Sequence, residues 1–249
     1  MIPDVVADIG NSRVKWGRCA GGAVAEAASL PPDDPDAWQA QLDRWGLMGP
    51  RCWAVAGVHP RRRDQLAEWL RSRGAAVRVI DSPGDLPLRV RLERPERVGI
   101  DRLLNAVAAN AVRPPRTPAI LADAGTAVTV DLVDEDGAFR GGAIFPGFRL
   151  LARALHQHTA LLPLIDVPRS VPALPGTDTP SAMAGGIFWA VAGGIEAAAR
   201  QMAAHAATPP LLLLTGGDGP LLAPALGVES RLWPLMTLEG IRLTAEALP

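Results

Sequence analysis

Tyrosine is missing from this 249-residue chain, and lysine occurs once, at Lys15, among 25 basic residues. Arginine has replaced lysine wherever a generic positive charge suffices. The one exception marks a place where a compact ammonium is wanted and a planar guanidinium will not fit. Cysteine is almost as scarce. Cys19 and Cys52 have neither the spacing of a metal site nor the number for a disulfide framework, and both read as small buried apolar residues. The four histidines assemble no ligand set, since His156 and His158 are two residues apart and do not share a helix face. Net charge is nearly absent too, at −1, which excludes a general nucleic-acid binder built on a basic face. Arg61-Arg62-Arg63 is a local exception that opens a helix-like stretch and reads as a solvated helix end. The start Met1-Ile2-Pro3-Asp4 lacks the basic and apolar segments of a signal peptide. The longest uncharged run of the C-terminal half, Thr179 to Ile195, falls short of the ~20 residues a membrane helix needs and reads as a buried helix. The expectation is a cytoplasmic protein without nucleic-acid or membrane partners.

What the chain does contain is core. Hydrophobic residues make up 48% and charged residues 20%, a balance that favours a packed α/β protein over disorder. Apolar runs bounded by glycine predict strands at Val5–Ile9, Val14–Cys19 and Ala23–Leu30, then at Cys52–Ala56 and Val77–Ile80. Helices are expected over Asp34–Leu47, Arg61–Arg73 and Ile100–Val112, the last reached through a proline-punctuated crossing from Pro83 to Pro95. Arg113-Pro114-Pro115-Arg116 reads as a hinge. Beyond it the pattern restarts, with strands at Ala119–Ala122, Val128–Val133, Ala138–Ile144 and Leu211–Leu214. Helices are expected at Arg149–His158, Ser181–Ala206 and Leu235–Ala247. The seven tryptophans are scattered and read as packing residues.

The restart is a repeat. Val6-Ala7-Asp8-Ile9-Gly10-Asn11-Ser12 and Leu121-Ala122-Asp123-Ala124-Gly125-Thr126-Ala127 share one form: a buried strand, Ala-Asp, any residue, Gly, a small polar residue, then a second strand. Two similar domains, 1–113 and 114–249, facing each other across a cleft are the simplest architecture. Each repeat ends a buried strand on a carboxylate just before a glycine turn, which is how a phosphate-metal site is built. Amides and hydroxyls of Asn11, Ser12 and Thr126 approach phosphate oxygens, and Asp8 and Asp123 orient a hydrated Mg²⁺. Lys15, along the second strand, neutralises charge on the transferring group. A third element, Thr215-Gly216-Gly217-Asp218-Gly219, allows backbone to come close to a base or ribose.

Asp8-Ile9-Gly10-Asn11-Ser12-Arg13-Val14-Lys15 resembles the first phosphate motif of the acetate and sugar kinase, Hsc70 and actin superfamily. More narrowly it is similar to the form found in type III pantothenate kinases. The resemblance continues in order through Gly99-Ile100-Asp101-Arg102 and Asp123 to Asp131. It then runs through Gly141 to Gly147, Thr159 to Pro163 and Thr215-Gly216-Gly217. It implies two tandem ribonuclease H-like domains of the actin-like ATPase fold, and an ATP-dependent phosphorylation of pantothenate that opens coenzyme A biosynthesis. By the same resemblance Asp101 is the catalytic base for the pantothenate hydroxyl. Gly99, Ile100, Asp101 and Arg102 line the pantothenate site, joined by Thr179 near a partner subunit, so that a homodimer is implied. Asp8, Gly10, Asn11, Ser12, Lys15 and Thr126 would hold ATP and its Mg²⁺, and Asp123 matches the position that binds a monovalent cation, K⁺ or NH₄⁺.

Two departures stand out. Ser12 replaces the commoner threonine but keeps the hydroxyl. Leu92 occupies a place where several members carry a tyrosine near the substrate. A non-catalytic regulator of the same fold is the rival reading, and so is a kinase for another small hydroxy acid. Retention of Asp8, Lys15, Asp101 and Asp123 together argues against a degenerate site.

Overall fold

Val5–Ile9 is buried at every position and forms β1, the middle strand of the first sheet. The computed structural model describes residues 1–47, 49 and 51–249. β1 pairs antiparallel with β2 (Val14–Ala20), which pairs antiparallel with β3 (Ala23–Leu30). On its other side β1 runs parallel to β4 (Cys52–Gly57), which is parallel to β5 (Ala76–Ile80), giving the order β3-β2-β1-β4-β5. Helices α1 (Pro35–Arg44), α2 (Pro60–Arg71) and α3 (Ile100–Val112) complete this part of the chain. α1 stops three residues short of the expected Leu47 because Gly46 turns into a left-handed conformation, φ 64°. Two short 3-10 turns, Pro83–Asp85 and Pro95–Arg97, punctuate the crossing segment.

The second sheet is built to the same plan. β6 (Ala119–Ala124), β7 (Ala127–Val133) and β8 (Phe139–Pro146) are antiparallel neighbours. Helices α4 (Phe148–His158) and α5 (Thr179–Ala203) follow. β9 (Leu211–Thr215) lies parallel to β6, the short α6 (Gly219–Leu222) comes next, and β10 (Arg231–Leu232) is parallel to β9. The order β8-β7-β6-β9-β10 reproduces that of the first sheet, so the two Ala-Asp-x-Gly segments occupy equivalent strands. The chain ends in α7 (Met236–Ala247).

Packing divides the chain into two compact units, Met1–Val112 with Leu235–Pro249, and Arg113–Pro234. One crossing of the chain falls between Val112 and Arg113. The closing helix, however, returns to the first unit rather than staying with the half that was expected to run 114–249. Two features hold it there. Gly240 lies so close to α3 that a Cβ would stand 2.0 Å from the Leu104 carbonyl oxygen. Glu239, buried in α7, accepts the Val24 amide of β3 at 2.8 Å and the Arg242 Nε at 2.7 Å. Removing one member of such a buried pair costs about 3–5 kcal/mol, because the other charge is left uncompensated.

Period-2 alternation sorts each sheet into two faces. Val5, Ala7 and Ile9 join Trp16, Trp38 and Trp53 in the core of the first unit. There Trp16 meets Trp53 edge to face with centroids 4.9 Å apart, and Trp38 meets Trp69 at 5.4 Å. Most of the tryptophans scattered in the sequence therefore converge on this one core. Val6 and Asp8 point to the opposite face, where Leu238 of α7 packs beside Val6 around Gly17. In the second unit Ile120, Ala122 and Ala124 pack with Phe188, Val191 and Ile195 of α5, which puts Asp123 on the far face. α5 is 25 residues long and apolar enough to cross a membrane on length and composition, and it begins two residues before and ends three before the expected Ser181–Ala206. A stripe of it lies buried on the sheet.

Candidate functional site

Asp8, the penultimate residue of β1, is 8% exposed. Its register partners are Lys15 on β2 and Ala56 on β4. Directly opposed residues of an antiparallel pair share a face, so Asp8 and the only lysine of the chain project to the same side of the sheet. Beyond them the chain turns. The Gly10 amide donates to the Arg13 carbonyl at 3.0 Å and is taken up by the turn itself, as the Gly125 amide is by Ala127 at 3.1 Å. The two glycines thus close their turns. Asn11 and Ser12 are exposed at the tip.

The turn is tied down by a residue the sequence reading assigned to solvent. Arg62, in the first turn of α2, donates from Nη1 to the Asn11 carbonyl at 2.7 Å. Its Nε and Nη2 grip both carboxylate oxygens of Asp33 at 3.1 and 2.8 Å. Nothing in a run of three arginines distinguishes the one that reaches back 51 residues.

Gly57 ends β4 against β1. A Cβ there would lie 2.4 Å from the Ile9 carbonyl oxygen, and φ is 156°, so only glycine fits. The next amide, of Val58, donates to that same carbonyl at 3.1 Å. Val58 in turn touches the Gly99 position, 3.5 Å from where a Cβ would be. The end of β1 and the start of α3 are thereby brought together through Val58. At that start Asp101 occupies the first turn, where the helix dipole favours a carboxylate. Its Oδ1 accepts the Arg102 amide at 2.8 Å and lies 2.6 Å from the point a Cβ on Gly99 would occupy. Gly99 is what lets this carboxylate fold back over the backbone. Ile100 is buried beneath it, and Arg102 is half-buried.

The second unit repeats the arrangement around β6. Asp123 is half-buried and opposes Thr129 on β7 and Thr215 on β9. Gly216, at φ 93°, sits against Ala124 as Gly57 sits against Ile9, with a Cβ position 2.2 Å from the Ala124 oxygen. That same oxygen accepts the Asp218 amide at 2.9 Å. From the other side the Gly147 amide donates to the Thr126 carbonyl at 3.1 Å. A cavity of about 640 Å³ opens beside this loop, lined by Gly217, Asp218, Pro220 and Leu221 and by the segment Val167 to Val171. Burial raises the Asp218 carboxyl above its ordinary range, against the pull of Arg149. Thr179 opens α5, exposed, next to a capping box in which Asp178 accepts the Ser181 amide at 2.7 Å. The candidate residues thus fall into two sets. Asp8, Gly10, Asn11, Ser12, Lys15 and Gly99 to Arg102 belong to the first unit, and Asp123, Thr126 and Thr179 to the second.

Chemically, the first set offers a shielded carboxylate on the same sheet face as a lysine, a hydroxyl-bearing turn and a second carboxylate at a helix start. Among the described residues no group of three or more His, Cys, Asp or Glu side chains converges to cage a metal. That donor set suits Mg²⁺, which keeps several waters and is held through one or two carboxylates plus substrate phosphates.

A sequence model of type III pantothenate kinases matches residues 5–201. The type III pantothenate kinase of Thiobacillus denitrificans is 33% identical over 253 aligned positions, covering 98% of this chain and 96% of the relative. That of Paramagnetospirillum magneticum is 43% identical over 163 positions, which span 66% of this chain and 62% of the relative. Among solved structures, MreB5 of Spiroplasma citri bound to AMPPNP superposes with a TM-score of 0.53 at 11% identity, over 98% of this chain and 96% of that one. This last likeness is one of fold, the two mixed-sheet α/β architecture of actin-like ATPases.

Proposed function

The chain belongs to the type III pantothenate kinase family, and on that premise we propose that it phosphorylates pantothenate to 4′-phosphopantothenate with ATP, the first step of coenzyme A biosynthesis. The observation that carries the reading is the Asp101 carboxylate folded over Gly99 at the start of α3, beside the end of the strand that bears Asp8.

Asp101 accepts the proton of the pantothenate primary hydroxyl as its oxygen bonds to the γ-phosphorus, and the bond from that phosphorus to the ADP oxygen breaks. Such transfers depend mainly on positioning and on stabilising charge, so one carboxylate base suffices. Gly99, Ile100 and Arg102 line the acceptor site, with Arg102 supplying the positive charge that a carboxylate substrate calls for. Asn11, Ser12 and Thr126 engage phosphate oxygens, and Lys15 neutralises the group in transit. Mg²⁺, carried with the nucleotide and oriented by Asp8, supplies further charge neutralisation. Asp123 holds a monovalent cation, K⁺ or NH₄⁺. The cavity beside Gly217 and Asp218 suits the nucleoside end of ATP.

The working form in this reading is a cytoplasmic homodimer in which Thr179 reaches a partner's acceptor site. Its support is a second unit rich in exposed apolar side chains, among them Ile144, Leu161, Leu164 and Trp189. Gly186 and Gly193 on α5 also face open space.

The test is ³¹P NMR of purified protein with ATP, Mg²⁺ and pantothenate, in potassium and then in sodium. A phosphomonoester resonance that requires pantothenate and grows faster in potassium is expected. Hydrolysis to inorganic phosphate alone would overturn the reading.

A further inference from the structure

The guanidinium of Arg62 reaches the turn at 10–13 from outside the β1–β2 segment. Three of its nitrogens are engaged at once, Nε and Nη2 by Asp33 and Nη1 by Asn11. The planar fork is pre-organised for a carboxylate, so Asp33 fixes the plane of the guanidinium and thereby the direction of Nη1. The acceptor at that end is the Asn11 carbonyl, at 2.7 Å. Because a trans peptide is planar, its C=O and the following N–H point in opposite directions. Holding the Asn11 oxygen toward α2 therefore turns the Ser12 amide away from α2.

We propose that Arg62, oriented by Asp33, is a positioning residue that sets the 11–12 peptide so that the Ser12 amide faces nucleotide phosphate. The inference rests on the kinase reading and deepens it. Exposed glycine-containing turns flip peptides at little cost, and Asn11 and Ser12 lie at the exposed tip of this one. The clamp removes that freedom before nucleotide arrives, which is where pre-organisation contributes to affinity. It also explains why Asp33, half exposed at 52%, is worth an ion pair that would contribute little to stability by itself.

Arg63 provides the control. One residue along the same helix, it pairs with Asp64 at 2.9 Å and Asp81 at 3.1 Å and has no bond to the turn among those resolved. The experiment is calorimetric titration of the full-length protein with Mg²⁺-AMPPNP, together with steady-state kinetics. Arg62→Ala should weaken nucleotide binding and raise KM for ATP by ~10-fold, the effect of one charge-assisted hydrogen bond. KM for pantothenate should stay within about twofold. Arg62→Lys should recover part of the loss, because an ammonium reaches one acceptor but not both. Asp33→Asn should fall between Arg62→Ala and the parent. Arg63→Ala should leave nucleotide affinity unchanged. If Arg62→Ala lowers thermal stability but binds AMPPNP as the parent does, the proposal is overturned and the kinase reading stands. If KM rises equally for ATP and pantothenate, the effect is general loosening, and the proposal again fails. A parent protein that binds no AMPPNP would overturn both.

Discussion

Asp8 and Lys15 face each other across the β1–β2 hairpin in direct register, the only lysine of the chain set against a carboxylate that is 8% exposed. Each explains the other. A shielded carboxylate favours a cation on its own sheet face, and the compact ammonium of lysine differs there from the planar fork of arginine. In an arginine-rich chain this is the place where the substitution has not been made. Lys15→Arg is expected to act almost like Lys15→Met, each lowering kcat by about 10²-fold, the scale of removing one group that stabilises transition-state charge. Far-UV circular dichroism should stay unchanged. Full activity in Lys15→Arg would show that charge alone suffices there.

Gly99 carries a sharper expectation. A methyl at that position would lie 2.6 Å from Asp101 Oδ1, and the carboxylate is the part able to move. Gly99→Ala should therefore shift the base rather than the helix. Displacement on the order of 1 Å costs roughly 10²-fold in rate, so kcat should fall by that order while the melting temperature changes little. Loss of stability with kcat preserved would place the strain elsewhere.

Cys19 gives a pH signature. Burial is the main cause that pushes its thiol up to about 12 from 9.0, reinforced by Glu239, Glu246 and Asp4 and opposed by Arg242. Below pH 9 the thiol is protonated folded and unfolded, and its contribution is constant. Above pH 9 the unfolded chain ionises first, so stability is lost progressively between about 9 and 12. Urea midpoints measured at pH 8, 9.5 and 10.5 should fall more steeply for the parent than for Cys19→Ala. Parallel slopes would refute this.

Much of the fold was legible because local signals agree with tertiary structure. β1 matches its expected bounds, Val5–Ile9, since an apolar run ending in Asp-x-Gly has one reasonable reading. The repeat was legible too, and sheet order makes the two Asp-x-Gly strands topologically equivalent. The position of α7 was not. Its helical period was plain, but what returns it to the first unit is Gly240 against Leu104 and Glu239 against Val24, contacts more than 130 positions apart. β10 is a two-residue strand paired with Leu213 and Leu214 and has no pattern of its own to read. Gly57 has no sequence signal of its own; its φ and its approach to Ile9 make it the counterpart of Gly216. For the candidate site, residue types and order pointed to Asp8 and Lys15, whereas Asp101 came forward only through the resemblance to the kinase family. Arg62 was visible only as charge, because its partner lies at the tip of a distant turn.

The central claim is that Asp101 is the base of a pantothenate-dependent phosphoryl transfer, and the direct measurement is ADP release by the parent and by Asp101→Asn, with and without pantothenate. The account predicts release that depends on pantothenate in the parent and falls by ~10²–10⁴-fold in the variant, with AMPPNP affinity preserved. An Asp101→Asn protein that turns over like the parent would contradict it, and so would parent turnover indifferent to pantothenate.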